Sequence, residues 1–110
     1  MIVEPKTFYK LITADDNSFQ AFIHNFEVQF DTLKASHLII DLTRIEPLKI
    51  SEINTFLEWS SQSRIAKKSF IIVVQQIDID AVSETLICAP TLLEAQDTFE
   101  MEEMERDLGF

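Results

Sequence analysis

The chain has 110 residues, enough for one domain with a single core and too few for two, and 46% of its residues are apolar, as in ordinary globular proteins. Its net charge of −10 comes from 9 basic and 19 acidic residues, so we expect neither nucleic acid nor an anionic membrane as a partner, because both would repel it. A basic surface on a partner protein is compatible with this charge.

Scarce residue types exclude several kinds of site. Cys88 is the only cysteine, which excludes a disulfide framework or a thiolate zinc site and favours a reducing, cytoplasmic compartment. Gly109 is the only glycine, so neither a P-loop nor a dinucleotide fingerprint can exist. His24 and His37 lack metal-site spacing, and we interpret them as surface or hydrogen-bonded residues. We therefore expect no cofactor, no metal and no enzyme.

Membrane segments are not expected either. The longest uninterrupted apolar run has only five residues, against about twenty for a membrane span, and the start of the sequence lacks a signal pattern.

The opening segment predicts a strand or hairpin followed by a helix. Residues 2–6 and 7–14 contain aromatic and β-branched side chains, and Pro5 favours an edge position because it removes a ladder hydrogen bond. The turn that ends at Ser18 offers a helix cap. After it, six apolar residues recur at helical steps of three and four and predict a buried face: Phe19, Phe22, Ile23, Phe26, Phe30 and Leu33.

Two apolar runs without polar alternation predict the fold class. They lie within Ser36–Thr43 and Ser69–Gln75, and strands of this kind are buried on both faces, as in parallel sheets flanked by helices. Between them, Ile50–Arg64 is amphipathic, with Trp59 off the centre of its apolar stripe and expected to be partly exposed. The order strand, helix, strand predicts a βαβ crossover in an α/β domain with about four helices.

Two short elements are predicted after the second buried strand. Ile77–Thr85 is interpreted as a short helix capped by Asp78 or Asp80, and Leu86–Ala89 as a last short strand. At the end of the first buried strand, the Asp41 side chain is expected to form a hydrogen bond with the backbone of the following loop rather than to act as a buried acid.

The final helix is predicted from Leu92 to about Asp107, because Thr91 and Glu94 follow the capping-box pattern. Three residues, Leu92, Ala95 and Phe99, can cover the sheet. A second apolar line runs through Met101, Met104 and Leu108 and continues to Phe110. The rest of the helix is strongly acidic. Two interpretations stay open: a solvated face that keeps the domain soluble, and an acidic, methionine-lined docking surface for a partner or a second copy.

The order of elements resembles the STAS domain family of sulphate transporters and anti-sigma-factor antagonists over roughly residues 18–96, and two segments are similar to parts of the family's sequence motifs. The run Ile40-Asp41-Leu42-Thr43 is similar to the end of the family's second buried strand. Residues 88–95 are similar to its closing strand and following helix start. Where the family has Asp-Ser-Ser-Gly-Leu, this chain has Lys49-Ile50-Ser51-Glu52-Ile53.

The resemblance implies a bacterial regulator whose partner is a protein of the kinase or anti-sigma type. In such members the first serine of the motif is phosphorylated, and here Ile50 stands in its place, so the switch is lost or shifted to Ser51. Ser51 is otherwise interpreted as a helix N-cap, with Glu52 in the first turn.

Three functional classes follow, of which a non-catalytic interaction module is favoured. A structural or assembly subunit, including a homo-oligomer, is the second, and a small-molecule-binding domain the third. The residues predicted to bind a partner lie in the loop and helix start after the first buried strand and on the last helix: Arg44, Glu46, Lys49, Ile50, Ser51, Glu52, Met101, Met104 and Leu108.

Overall fold

A computed structural model describes residues 1–109, so Phe110 lies outside the described part of the chain. The sheet has five strands in the sequential order β1-β2-β3-β4-β5. The strands are β1 (Ile2–Pro5), β2 (Lys10–Thr13), β3 (Leu38–Asp41), β4 (Phe70–Val73) and β5 (Ile87–Ala89).

The strand directions confirm the predicted fold class. β1 and β2 form an antiparallel hairpin at one edge, while β2, β3, β4 and β5 run parallel. In the register of the sheet, Ile39 lies opposite Leu11 on one side and Ile71 on the other. Both predicted apolar runs are central strands, and their side chains are buried on both faces of the sheet.

Helix α1 (Phe19–Leu33) covers one face of the sheet. The Ser18 hydroxyl accepts a hydrogen bond from the Ala21 N–H at 3.1 Å, which confirms the predicted cap. Five of the six residues of its apolar stripe are buried, and Ile23 is half-buried. The Phe26 ring packs edge-to-face on Phe56 with centroids 5.7 Å apart, so aromatic contacts join α1 to the next helical segment.

The helix predicted over Ile50–Arg64 is divided in two, α2 (Ile50–Asn54) and α3 (Leu57–Ile65). At the break, the Phe56 N–H bonds the Ile53 carbonyl three residues back, which is a tighter turn than an α-helix. The Thr55 hydroxyl donates to the Ser51 carbonyl at 3.1 Å, a contact that bends helices. The break directs Phe56 fully into the core. Trp59 is half-buried, as predicted.

The short helix predicted over Ile77–Thr85 is reduced to a single turn, and its predicted cap at Asp78 is confirmed. Only a 3₁₀ turn forms there, at Ile79–Ala81, and the Asp78 carboxylate caps it by accepting from the Asp80 N–H at 3.1 Å. Val82 and Leu86 are buried in the core on either side of a second turn, and this anchoring leaves no room for a regular helix before β5.

Helix α4 (Leu92–Asp107) covers the opposite face of the sheet. Its predicted start is confirmed, because the Thr91 hydroxyl accepts from the Glu94 N–H at 3.1 Å. Ala95 and Phe99 are buried against β3, β4 and β5, as predicted. The sheet therefore lies between α1, α2 and α3 on one face and α4 on the other.

Candidate functional site

The loop after β3 is held by carboxylates at the carboxyl edge of the parallel strands. One Asp41 oxygen accepts from the Thr43 N–H at 2.9 Å and from the Thr43 hydroxyl at 2.7 Å, which confirms the expected bond to the following loop. One Glu46 oxygen accepts from the backbone N–H groups of Gln75 and Gln76 at 2.7 and 2.6 Å. Glu46, predicted to bind a partner, thus ties this loop to the one after β4.

The start of α2 differs from the prediction at one position. Lys49 is the N-cap residue, and its N–H donates to the Glu52 carboxylate at 2.8 Å. Ser51 is the second residue of the helix and is exposed, so the interpretation of Ser51 as the cap is wrong. Ile50 is half-buried and packs against the core, whereas Arg44 is exposed.

The amino group of Met1 adds charge to the same edge. It lies 2.6 Å from Asp15 and 2.7 Å from Asp16, and these contacts raise the pKa of the amino group. The hydrogen bond from the amino group lowers the pKa of Asp15. These contacts hold the hairpin to the start of α1, and sequence analysis missed them.

A polar network holds the second half of α4 at the opposite, amino edge of the strands. The Ser69 hydroxyl, fully buried, donates to Glu102 at 2.5 Å and accepts from the Arg106 guanidinium at 2.9 Å. Arg64 donates to the Glu102 carboxylate at 2.8 Å and to the Phe70 carbonyl at 3.1 Å. Part of the acidic helix is therefore structural rather than a free solvated face.

His37 belongs to this network. Its Nδ1 accepts from the Ser69 N–H at 2.9 Å, and its Nε2 lies 3.3 Å from the Glu103 carboxylate. Burial of the ring lowers the pKa of His37, with further lowering by the charges of Arg106 and Lys68, while Glu103 and Glu102 oppose the shift. The interpretation of His37 as a hydrogen-bonded residue is confirmed, and His24 is exposed.

The outer side of α4 carries four large apolar side chains that are mostly exposed. Met101 and Met104 are 62% and 63% exposed, Leu108 is 72% exposed, and Leu93, which sequence analysis did not single out, is 67% exposed. We call these four residues the outer stripe. They follow the spacing of one helix side, opposite to Phe99.

A groove adjoins the outer stripe where α4 faces the turn between β1 and β2. Its volume is about 680 Å³, and Phe8 in that turn is 71% exposed. The groove is lined by apolar rings and a methionine together with acids and one lysine: Phe8, Tyr9, Phe99, Met104, Glu100, Glu103, Asp107 and Lys6 among them.

The structure keeps the two predicted partner-binding regions apart. Residues 44–52 follow the carboxyl end of β3 and lead into α2, on the face opposite to α4. Met101, Met104 and Leu108 lie near the amino ends of the strands, because their neighbours on α4 contact Ser69 and His37. They therefore form two separate surfaces.

Cys88 and the metal-ligating side chains give no further candidate site within residues 1–109. Burial raises the pKa of the Cys88 thiol to about 11, which makes it a poor nucleophile, and Cys88 packs against the core as a small residue, as predicted. Across residues 1–109, no three metal-ligating side chains cluster as a metal site would need. None of the helices within those residues combines the length and apolarity that crossing a membrane requires.

No protein-family model and no curated protein sequence matches this chain.

Proposed function

We propose that this protein is a non-catalytic interaction module, similar in role to the anti-sigma-factor antagonists, and that the outer stripe of α4 is its main partner-binding surface. One observation carries the proposal: four large apolar side chains are exposed on one side of a helix whose other side is already buried against the sheet. Exposed apolar surface of this kind is typical of interaction sites.

Methionine supports a binding interpretation for this stripe. Two of its four members are methionines, whose flexible thioether side chains adapt to the shape of a partner. The compartment we propose is the cytoplasm, and the single cysteine supports it, since disulfide frameworks are absent from most proteins of reducing compartments.

The experiment compares protein capture by the wild type and by a variant with Met101→Gln, Met104→Gln and Leu108→Gln, both expressed in the native host and analysed by quantitative mass spectrometry. Glutamine keeps the helix propensity and removes the apolar surface. The matched control is Val28→Gln on α1, since Val28 is 71% exposed and lies far from α4. The proposal predicts that the α4 variant loses specific proteins that the control retains. Identical sets for all three proteins would refute it.

A second candidate surface is the segment Arg44–Glu52, with Ser51 as a phosphorylation site. The observation that favours it is the Ser51 side chain, which is exposed and is not used as the cap of α2. Intact-mass measurement of the protein from its own host is the test. A species heavier by one phosphate that disappears in Ser51→Ala supports this regulation, and its absence under all growth conditions excludes it.

A further inference from the structure

We propose that the outer stripe of α4 binds a helix from another protein whose flanking positions carry Lys or Arg, and that it does not pair with a second copy of this chain. This inference rests on the proposed function and specifies its partner. Spacing, charge and the shape of the neighbouring groove support it.

The spacing of the stripe fits a helix. Met101, Met104 and Leu108 follow one another at steps of three and four, which is the repeat of a coiled-coil seam. Leu93 lies on the same side two turns earlier, and the exposed Asp97 stands between it and Met101. The continuous seam from Met101 to Leu108 spans about 10 Å, at 1.5 Å for each residue. A seam of this length matches about two turns of the apolar side of one helix.

The residues beside the seam are acidic. In the heptad that places Met101 and Leu108 at position a and Met104 at position d, Glu100 and Asp107 fall at position g and Glu105 at position e. These three carboxylates are exposed, and the structure shows no hydrogen bond or ion pair to them within residues 1–109.

The nearest basic side chains form no ion pair with these three carboxylates within residues 1–109. Arg106 is the only basic residue of α4, and its guanidinium faces inward to Ser69 and Glu103. Lys6 shares the groove with Glu100 and Asp107 but pairs with Glu4 at 3.3 Å. On the other side, Lys67 and Lys68 line a cleft with Glu105 and lie beyond ion-pair distance from it.

The charge pattern disfavours self-pairing in both orientations. Two copies of α4 packed in parallel would place Glu100 opposite Glu105, and antiparallel packing would place Glu100 and Asp107 opposite each other or themselves. Like charges at these flanking positions repel, and the net charge of −10 adds to the repulsion. A partner with Lys or Arg at its own flanking positions turns the same contacts into attraction.

The groove shows where such a helix lies. It runs along the Glu100 and Asp107 side of α4, and Phe8 lines it as well. A helix on the outer stripe can insert one apolar side chain between Met104 and Phe8, while its basic side chains reach Glu100 and Asp107. The exposed Phe8 ring thereby gains an apolar neighbour.

The probe for the test is a three-heptad peptide with leucine at positions a and d and lysine at e and g. Its matched control has glutamate at e and g and is otherwise identical. Affinities are measured by fluorescence anisotropy at physiological salt, at peptide concentrations that sedimentation shows to be monomeric. The wild-type protein is expected to bind the lysine peptide about tenfold more tightly than the glutamate peptide, the effect of about three exposed ion pairs.

A charge-reversed protein sharpens the test. The variant Glu100→Lys, Glu105→Lys, Asp107→Lys is expected to reverse the preference and select the glutamate peptide. The control Glu27→Lys, Glu58→Lys, Glu84→Lys changes the net charge equally at exposed positions away from α4 and is expected to retain the wild-type preference. If the reversed variant does not fold, the comparison of the two peptides on the wild type still decides the outcome.

Three results overturn the inference and spare the proposed function. The first is that neither peptide binds although the glutamine variant still loses its captured proteins, so the partner is not a helix of this kind. The second is self-association of the wild type that the glutamine variant abolishes. Equal weakening by the α4 and control charge reversals overturns it as well, because binding would then follow net charge alone.

Discussion

The inner side of α4 packs Ala95 and Phe99 against the sheet, whereas its outer side leaves Met101, Met104 and Leu108 exposed. Both sides carry apolar residues of the same helix, and they differ in what these residues contact. The inner line contacts three strands and a buried polar network, and the outer line faces solvent beside unpaired carboxylates. The contrast teaches that the inner line stabilises the fold, whereas the outer line takes no comparable part in it and is the surface we propose for a partner.

The largest expected effect is at the centre of the inner line. We expect Phe99→Ala to lower the free energy of unfolding by about 3 kcal/mol, because it leaves a cavity. The Phe99 ring packs on Tyr9 and His37, with centroids 5.4 and 5.1 Å away. Urea unfolding measures the change. A loss no greater than that of Met104→Ala would break the distinction between the two sides.

The next effect is at the polar network beneath α4. Ser69→Ala removes one donor and one acceptor and leaves Glu102 and Arg106 with fewer partners, so we expect a loss of about 1–2 kcal/mol. Ser61→Ala on the exposed side of α3 is the matched control. Similar unfolding midpoints in urea for both variants would show that the network does not hold α4.

A smaller effect is expected from pH through His37. Because burial and the charges of Arg106 and Lys68 lower its pKa, the unfolded chain binds a proton more readily than the folded protein. This contribution to stability is complete above the ordinary histidine pKa of 6.5 and is lost as the pH falls toward and through the lowered value. Protonation of Nδ1 also breaks its bond from the Ser69 N–H.

Thermal unfolding from about pH 8 to pH 5 measures this dependence. The melting temperature of the wild type is expected to fall more steeply on acidification than that of His37→Gln, whose amide oxygen can still accept from Ser69. The exposed His24 is the control, and His24→Gln should follow the wild-type curve. Parallel curves for wild type and His37→Gln would contradict the assignment of this pH dependence to His37.

The smallest effect on stability is expected on the outer side. Met101→Gln with Met104→Gln should change the free energy of unfolding by no more than about 0.5 kcal/mol, because both side chains are already exposed in the folded protein. Chemical denaturation tests this. A loss comparable with that of Ser69→Ala would mean that the stripe serves the fold.

Local patterns were sufficient to predict much of the fold. The unbroken apolar runs of β3 and β4, the stripe of α1 and the caps at Ser18 and Thr91 are short-range signals, and the structure confirms each. The two sides of α4 were also separable, because helical spacing alone places Phe99 and Met101 apart. The STAS resemblance stays a prediction.

Contacts between distant residues could not be predicted. Arg64 and Glu102 are separated by 38 positions, and Glu46 reaches an N–H 29 positions away, so no local pattern pairs them. The break between α2 and α3 was missed because Ile50–Arg64 has continuous helical periodicity, and the Thr55 side chain and the burial of Phe56 decide the bend. The cap of α2 was placed at Ser51 on residue type, although backbone geometry puts it at Lys49.

The most direct test of the central claim is a backbone amide chemical-shift map of the wild-type protein titrated with the lysine peptide. The account predicts shifts concentrated at residues 100–108 of α4 and at Phe8 and its neighbours, with residues 44–52 unchanged. Shifts centred on residues 44–52, or spread evenly over the acidic surface, would contradict it.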